Sequence, residues 1–206
     1  LPPTSRLLVM EYIDGVHLDQ REKLGSLGLN SKKLGQLFSK MIVKMIHKEG
    51  YVHADPHSGN LMARRYKGRD QLVLLAMGST SSWTLLAQEL QLVWLGLILN
   101  DPSRYTDAAR RLGTQNPQLL CSILTSKTSE ELSSGGRYLF DLNPSTDKAK
   151  IMSEAAKNHN KIIKVLSELR REVLLLLKVN EFARTIENMM GGRPTGVYED
   201  IARECI

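Results

Sequence analysis

The stretch from Tyr51 to Arg65, YVHADPHSGNLMARR, sets His53, Asp55, His57 and Asn60 within eight residues, with Pro56 and Gly59 among them. Polar, ring-bearing and turn-forming residues at that density make a loop. What stands on either side gives the loop its place. Upstream, Leu34, Leu37, Phe38, Met41, Ile42, Met45 and Ile46 recur at three- and four-residue steps, a single apolar face that predicts a long helix from Ser31. Asn30 or Ser31 caps its start, and Gly50 supplies its stop. Downstream, Leu61 to Arg65 and Leu72 to Leu75 read as two short strands joined by the Lys67-Gly68 turn. Amphipathic helix, polar loop and hairpin, in that order, define the fold.

Outward from this core the pattern is helical. Arg6 to Tyr12, RLLVMEY, is a short apolar run ending at the turn signal Asp14-Gly15, and reads as a strand entering a loop. After Ala76 the chain is expected to become helical and stay so. Leu85, Leu86, Leu90, Val93, Trp94, Leu97 and Ile98 form a second apolar face ending near Asp101-Pro102. Shorter helices are expected over Ser103 to Leu112 and Pro117 to Ser126. The run Ser133 to Asp147, SSGGRYLFDLNPSTD, has loop chemistry and is expected to be mobile. A helical pair follows, roughly Ala149 to Leu166 and Glu168 to Met190, closed by Gly191-Gly192-Arg193-Pro194. The expected architecture is one mainly α domain with a small β-hairpin inserted near its start.

The chain has 206 residues, enough for one sizeable domain with its own core. Hydrophobic residues at 42% and charged residues at 24% exclude a wholly disordered chain. A net charge of +6 suits an anionic ligand such as a nucleotide, or an acidic membrane surface. It is too weak and too scattered to argue for nucleic acid. The densest basic run, Arg64 to Arg69, has the composition of a solvated turn between strands. Two cysteines, Cys121 and Cys205, make no disulfide framework and read as free thiols in a reducing compartment. The strongest apolar run, Val173 to Leu177, stops at Lys178, far short of the ~20 residues that span a bilayer. The first residue is Leu1, so the start reads as a cut through a longer protein, with any targeting segment upstream.

A phosphoryl-transfer site needs a carboxylate that orients the attacking hydroxyl and accepts its proton. It needs a side-chain oxygen a few residues on to help hold Mg²⁺, and a second carboxylate to bridge that metal to the phosphates. Asp55 and Asn60, with four residues between them, have the spacing of the first two, and His53 stands two before the Asp. Two other readings of the loop stay open. A polar loop with an Asx-turn at Asp55 needs no chemistry at all. Alternatively, His53, Asp55 and His57 present imidazole and carboxylate at alternate positions to a zinc ion; Pro56 and the absence of a nearby third histidine stand against it.

Loop and context together resemble the UbiB-like (aarF-domain) atypical kinases, whose loop reads H-x-D-P-H-P-G-N; Ser58 stands in place of the second proline. LLVMEYIDG (Leu7 to Gly15) is similar to the strand and hinge that join two kinase lobes. LVLLAMG (Leu72 to Gly78) is similar to the family's strand leading into Asp-His-Gly. LLLLKVNEFARTIE (Leu174 to Glu187) is similar to its last helices, in particular those of its mitochondrial branch. The resemblance implies a protein-kinase-like C-lobe of α+β class, with residues 1–15 as the last N-lobe strand and hinge and residues 16–206 as the lobe itself, the N-lobe lying outside this chain. It implies ATP and Mg as cofactors, with Met10 as gatekeeper and the Glu11 and Ile13 backbone groups offered to adenine. Asp55 becomes the catalytic carboxylate, Asn60 a magnesium ligand, and His53 and His57 the braces of the loop.

The pattern fails at one place. Ala76 occupies the position of the family's metal-binding aspartate, and Met77 that of the following histidine. If that carboxylate contributes roughly 3–5 kcal/mol through the metal, its loss slows transfer by about 10²- to 10⁴-fold. Asp70 is no substitute, being six residues earlier on a predicted strand, about 20 Å away if extended. Three functions are therefore weighed. The first is an atypical kinase or ATPase with impaired chemistry, tied by resemblance to mitochondrial lipid or ubiquinone homeostasis. The second is a non-catalytic pseudokinase that binds a protein partner or a lipid or membrane surface. The third is a small-molecule phosphotransferase of the aminoglycoside or choline kinase type, whose loop has similar His-Asp-His-Asn spacing.

Overall fold

The computed structural model describes residues 9–53, 57–75, 80–82, 84–125, 127–128, 132, 159–193 and 195–206. Helix α2 (Ser31–His47) is the long amphipathic helix the periodicity predicts. Asn30 caps it, its side chain accepting the Lys33 N–H at 3.0 Å. Its buried face, Leu34, Phe38, Ile42, Val43 and Ile46, enters the main core. A short helix α1 (Arg21–Ser26), which the apolar spacing did not announce, precedes it.

The chain then turns at Gly50, whose φ of +64° is a left-handed conformation natural only to glycine. A Cβ there would also meet the Thr84 backbone at 3.1 Å, so the turn can lie against the start of a later helix. Strand β2 (Tyr51–His53) follows, then a single 3₁₀ turn (Ser58–Asn60). Strands β3 (Leu61–Tyr66) and β4 (Arg69–Leu74) form the expected hairpin, paired from Leu61↔Leu74 to Tyr66↔Arg69. Lys67 and Gly68 at its tip both have positive φ, the tight-turn geometry that matches strand twist.

Two expectations are corrected here. Residues 9–15 have no regular structure, and the strand of this region is β1 (Val16–His17), which adds to β3; Arg6 to Leu8 lie outside the described residues. The chain is also not helical throughout after Ala76. Strand β5 (Thr80–Ser82) pairs antiparallel with β2. The result is a three-stranded sheet in the order β1-β3-β4 and a separate two-stranded ribbon β2-β5.

Everything beyond is helical: α3 (Thr84–Ile98), α4 (Pro102–Arg111), α5 (Pro117–Thr125), α6 (His159–Glu168), α7 (Arg171–Met189) and α8 (Gly196–Cys205). The last of these was not anticipated. The loop expected over 133–147 and the helical turns expected over 149–158 lie outside the described residues. The core runs from α2 through α3 and α7 to α8, with Trp94 and Phe38 fully buried. Phe38 meets Phe182 edge-on at 5.7 Å, and Trp94 lies 5.5 Å from Tyr198 of α8.

Helices α3 and α4 approach most closely at Gly96, where an added Cβ would meet Tyr105 N at 2.6 Å and Tyr105 Cα at 3.0 Å. Alanine in place of a helical glycine gains about 1 kcal/mol of propensity. Here it collides with backbone, which cannot swing aside, and overpacking costs about 1–3 kcal/mol or more. Gly96→Ala is therefore expected to lower stability, and a fall in the urea midpoint with unchanged slope checks it.

Candidate active site

The described parts of the loop are held by three backbone devices. Strand β2 delivers His53, which is buried. Its ribbon partner places Thr80 directly opposite His53. On the other side of the gap, the exposed His57 opens the 3₁₀ turn, its Nδ1 accepting the Gly59 N–H at 3.0 Å. The Asn60 N–H donates to the His57 carbonyl at 3.0 Å, closing that turn. The Asn60 carbonyl in turn accepts the Leu75 N–H at 2.7 Å. This last bond is where the hairpin finishes: β4 returns to the exact level at which β3 left the loop.

His53 is thus paired with Thr80 and Asn60 with Leu75, so residues on either side of 54–56 are tied to residues on either side of 76–79. Asp55 belongs to the first and Ala76 with Met77 to the second, and all three lie outside the described residues. Asn60 is half-buried at the junction between the segments.

The residues read as a hinge lie in the irregular segment before β1, and Glu11 among them meets β3. Met10 is 63% exposed, Glu11 is exposed and Ile13 half-buried. Glu11 Oε1 accepts from Arg64 Nη1 at 3.0 Å. The same guanidinium donates from Nε to Gln71 at 2.7 Å and lies over the Tyr66 ring. Leu18 N–H donates to the Leu61 carbonyl, and Val16 pairs with Ala63. Strand β3 therefore follows directly on Asn60 and holds β1 and Glu11 along its length.

The basic run at the hairpin is largely structural. Arg65 pairs with Asp70 at 2.9 Å and donates to the Gly28 carbonyl at 2.6 Å. Asp70 also accepts the Asn30 N–H at 3.2 Å. Its carboxylate is committed to the entrance of α2, so it is unavailable to a metal, as the spacing argued.

One loop neighbour titrates abnormally. His47 ends α2, its Nδ1 buried without a hydrogen-bond partner, and burial pulls its imidazole down to about 4. It is neutral at pH 7 and braces the helix end as an uncharged ring.

The donor set does not fit magnesium. Mg²⁺ asks for hard, preferably anionic oxygen ligands in octahedral geometry. Asn60 offers one neutral amide oxygen, and the side chain at position 76 is a methyl group. Among the described residues no group of three or more His, Cys, Asp or Glu converges as a metal site.

A helical lobe, a small antiparallel sheet and a loop–hairpin junction of this kind define a kinase-like C-terminal lobe. Residues 3–109 match the ABC1 atypical kinase-like domain. The chain belongs to that family. It is 33% identical over 98% of its length to the Probable serine/threonine-protein kinase abkB of Dictyostelium discoideum, covering 29% of that protein. Against AarF domain-containing protein kinase 1 it is 28% identical in Gallus gallus and 33% in Xenopus tropicalis. In both it matches over 98% of its own length, and it covers 40% and 39% of theirs. The chain therefore spans well under half the length of these relatives, and the resemblance read from the loop and helices holds at the level of the family.

Proposed function

We propose that this chain is the C-terminal lobe of an atypical kinase or ATPase whose phosphoryl-transfer site is assembled but lacks its metal-binding carboxylate. The Asn60–Leu75 backbone bond carries this reading. It ties Asn60, five residues after Asp55, to Leu75, the residue before Ala76, which supports a two-carboxylate site in which one of the two carboxylates is an alanine. Asp55 is the catalytic carboxylate in this reading, His53 and His57 brace the loop, and Met10, Glu11 and Ile13 line the adenine end. ATP with magnesium is the cofactor pair in the parent design of such a site, with ubiquinone-linked or lipid-linked small molecules as the substrate class and the mitochondrion as the compartment. No helix among the described residues is long and apolar enough to cross a membrane, so a lipid partner would meet this lobe at a surface.

The same replacement favours a second reading, a pseudokinase that binds a protein partner or membrane with its chemistry gone. One experiment separates them. Calorimetry of ATP binding, with and without magnesium, compares the full-length protein with its Ala76→Asp variant. Magnesium-dependent binding by the Asp variant alone supports a site short of its carboxylate. Equal magnesium-dependent binding by both forms refutes the role given to position 76. Binding by neither, with Asp55→Ala leaving the biological role intact, selects the scaffold.

A further inference from the structure

Helix α8 is fastened to the lobe by a buried polar contact that the candidate active site does not use. Ser39 of α2 is fully buried, and its Oγ donates to Asp200 Oδ2 of α8 at 3.3 Å. The Glu187 carboxyl of α7 lies beside this pair. Glu187 is 2% exposed and Asp200 8%. Glu187 Oε2 is buried with no hydrogen-bond partner among the described residues. The backbone shapes this space to the acid: a Cβ on Gly192 or Gly196 would overlap the Glu187 side chain, and one on Gly35 would press on Met190.

Charge decides the protonation state. The groups facing the cluster are Lys40 of α2, Arg193 of the α7–α8 turn, and Glu199 and Arg203 of α8. Arg193 is paired with Glu199, and Arg203 with Asp200 at 3.2 Å. Glu187 has no ion pair among the described residues. An unpaired carboxylate at this depth is costly, whereas a neutral carboxyl is not.

We propose that Glu187 is held protonated in this buried space, beside the Ser39–Asp200 contact that clasps α8 to α2, and that loss of the Glu187 proton loosens that helix. Burial pushes Glu187 from its ordinary 4.5 up to about 7, with the Ser39 hydrogen bond opposing and the Asp200 charge adding to the rise. Burial raises Asp200 as well. Because the clasped group holds its proton more tightly than the released one, the clasp is at full strength below about 4.5. It weakens as the pH rises to about 7 and levels off above. Within that window the opening equilibrium rises by about tenfold per pH unit. The clasp stands behind the candidate loop, since α8 packs on α2, whose far end leads into β2.

Hydrogen exchange of the α8 amides, corrected for intrinsic chemical rates, tests this in the full-length protein between pH 5 and 8. The parent should show opening that rises about tenfold per unit from pH 5 to 7 and then flattens. Glu187→Gln, which keeps the shape and a donor but cannot ionise, should be nearly flat and retains any contribution from His47. A flat parent profile, or the same slope in both proteins, overturns the proposal. If Glu187→Gln fails to fold, the ¹³C carboxyl resonance of Glu187 in the parent decides. A midpoint near 7 supports the clasp, and one near 4.5 refutes it.

Discussion

Ala76→Asp in the full-length protein is expected to raise nucleotide turnover by about 10²- to 10⁴-fold. The size follows from the roughly 3–5 kcal/mol that an anionic ligand at that position would contribute to transition-state stabilisation. The placement follows from the hairpin. Position 76 is bonded to Leu75, whose N–H donates to the Asn60 carbonyl at 2.7 Å, and consecutive Cα atoms are about 3.8 Å apart. A carboxylate introduced there follows directly on the residue bonded to Asn60, whereas Asp70 is spent on Arg65 and on the entrance of α2. The gain should require Asp55. In the Ala76→Asp background, Asp55→Asn is expected to remove about 10²- to 10⁴-fold, the usual worth of a positioned general base. Steady-state ATP hydrolysis across a magnesium titration measures both steps. An Ala76→Asp enzyme no faster than its parent would place the missing function elsewhere.

Trp94→Ala is expected to destabilise the lobe by about 3–5 kcal/mol, the range for removing a large buried aromatic. Trp94 is fully buried on α3 and lies 5.5 Å from the Tyr198 ring of α8. Tyr198 in turn donates its hydroxyl to the Thr125 carbonyl at 2.7 Å, tying α8 to the end of α5. A cavity at Trp94 thus opens between helices that are pinned at other points and cannot collapse to fill it. The indole N–H has no hydrogen-bond partner among the described residues, so the expected loss is one of packing. Urea denaturation at 25 °C supplies the number, and a loss below about 1 kcal/mol would show that the α3–α8 contact is not part of the core.

The parts of this fold that the sequence announces are those built from local pattern. Helix α2 is legible because its seven apolar residues recur at helical steps behind a capping Asn30. The β3–β4 hairpin is legible because its turn is Lys67-Gly68. Strand β5 is not, since Thr-Ser-Ser has no alternation, and its conformation comes from pairing with β2 some thirty residues away. Helix α8 did leave a signal. Val197, Tyr198 and Ile201 make an apolar stripe just past the Gly191–Pro194 break, but a chain end invites a reading as loose tail. The loop motif, with Asp55, Asn60 and the alanine at 76, is wholly a sequence reading, and the structure contributes the junction that brings its flanks together. Glu187 reads as an ordinary helix acid. Its burial depends on Gly35, Gly192 and Gly196, which no local pattern connects to it.

The hairpin has a bearing on the order in which this lobe organises itself. Loop closure grows costlier with the length of chain enclosed, by about 0.6 kcal/mol for each doubling. Zipping Leu61 against Leu74 roughly halves the free chain between His53 and Thr80, which lie opposite each other in the β2–β5 ribbon. A two-residue turn at Lys67-Gly68 closes on the microsecond scale, well ahead of more distant pairings. The candidate catalytic loop is therefore the second of two nested closures, made about threefold easier by the first. Sequence changes at an exposed turn tip, remote from any chemistry, would shift how readily the loop is assembled.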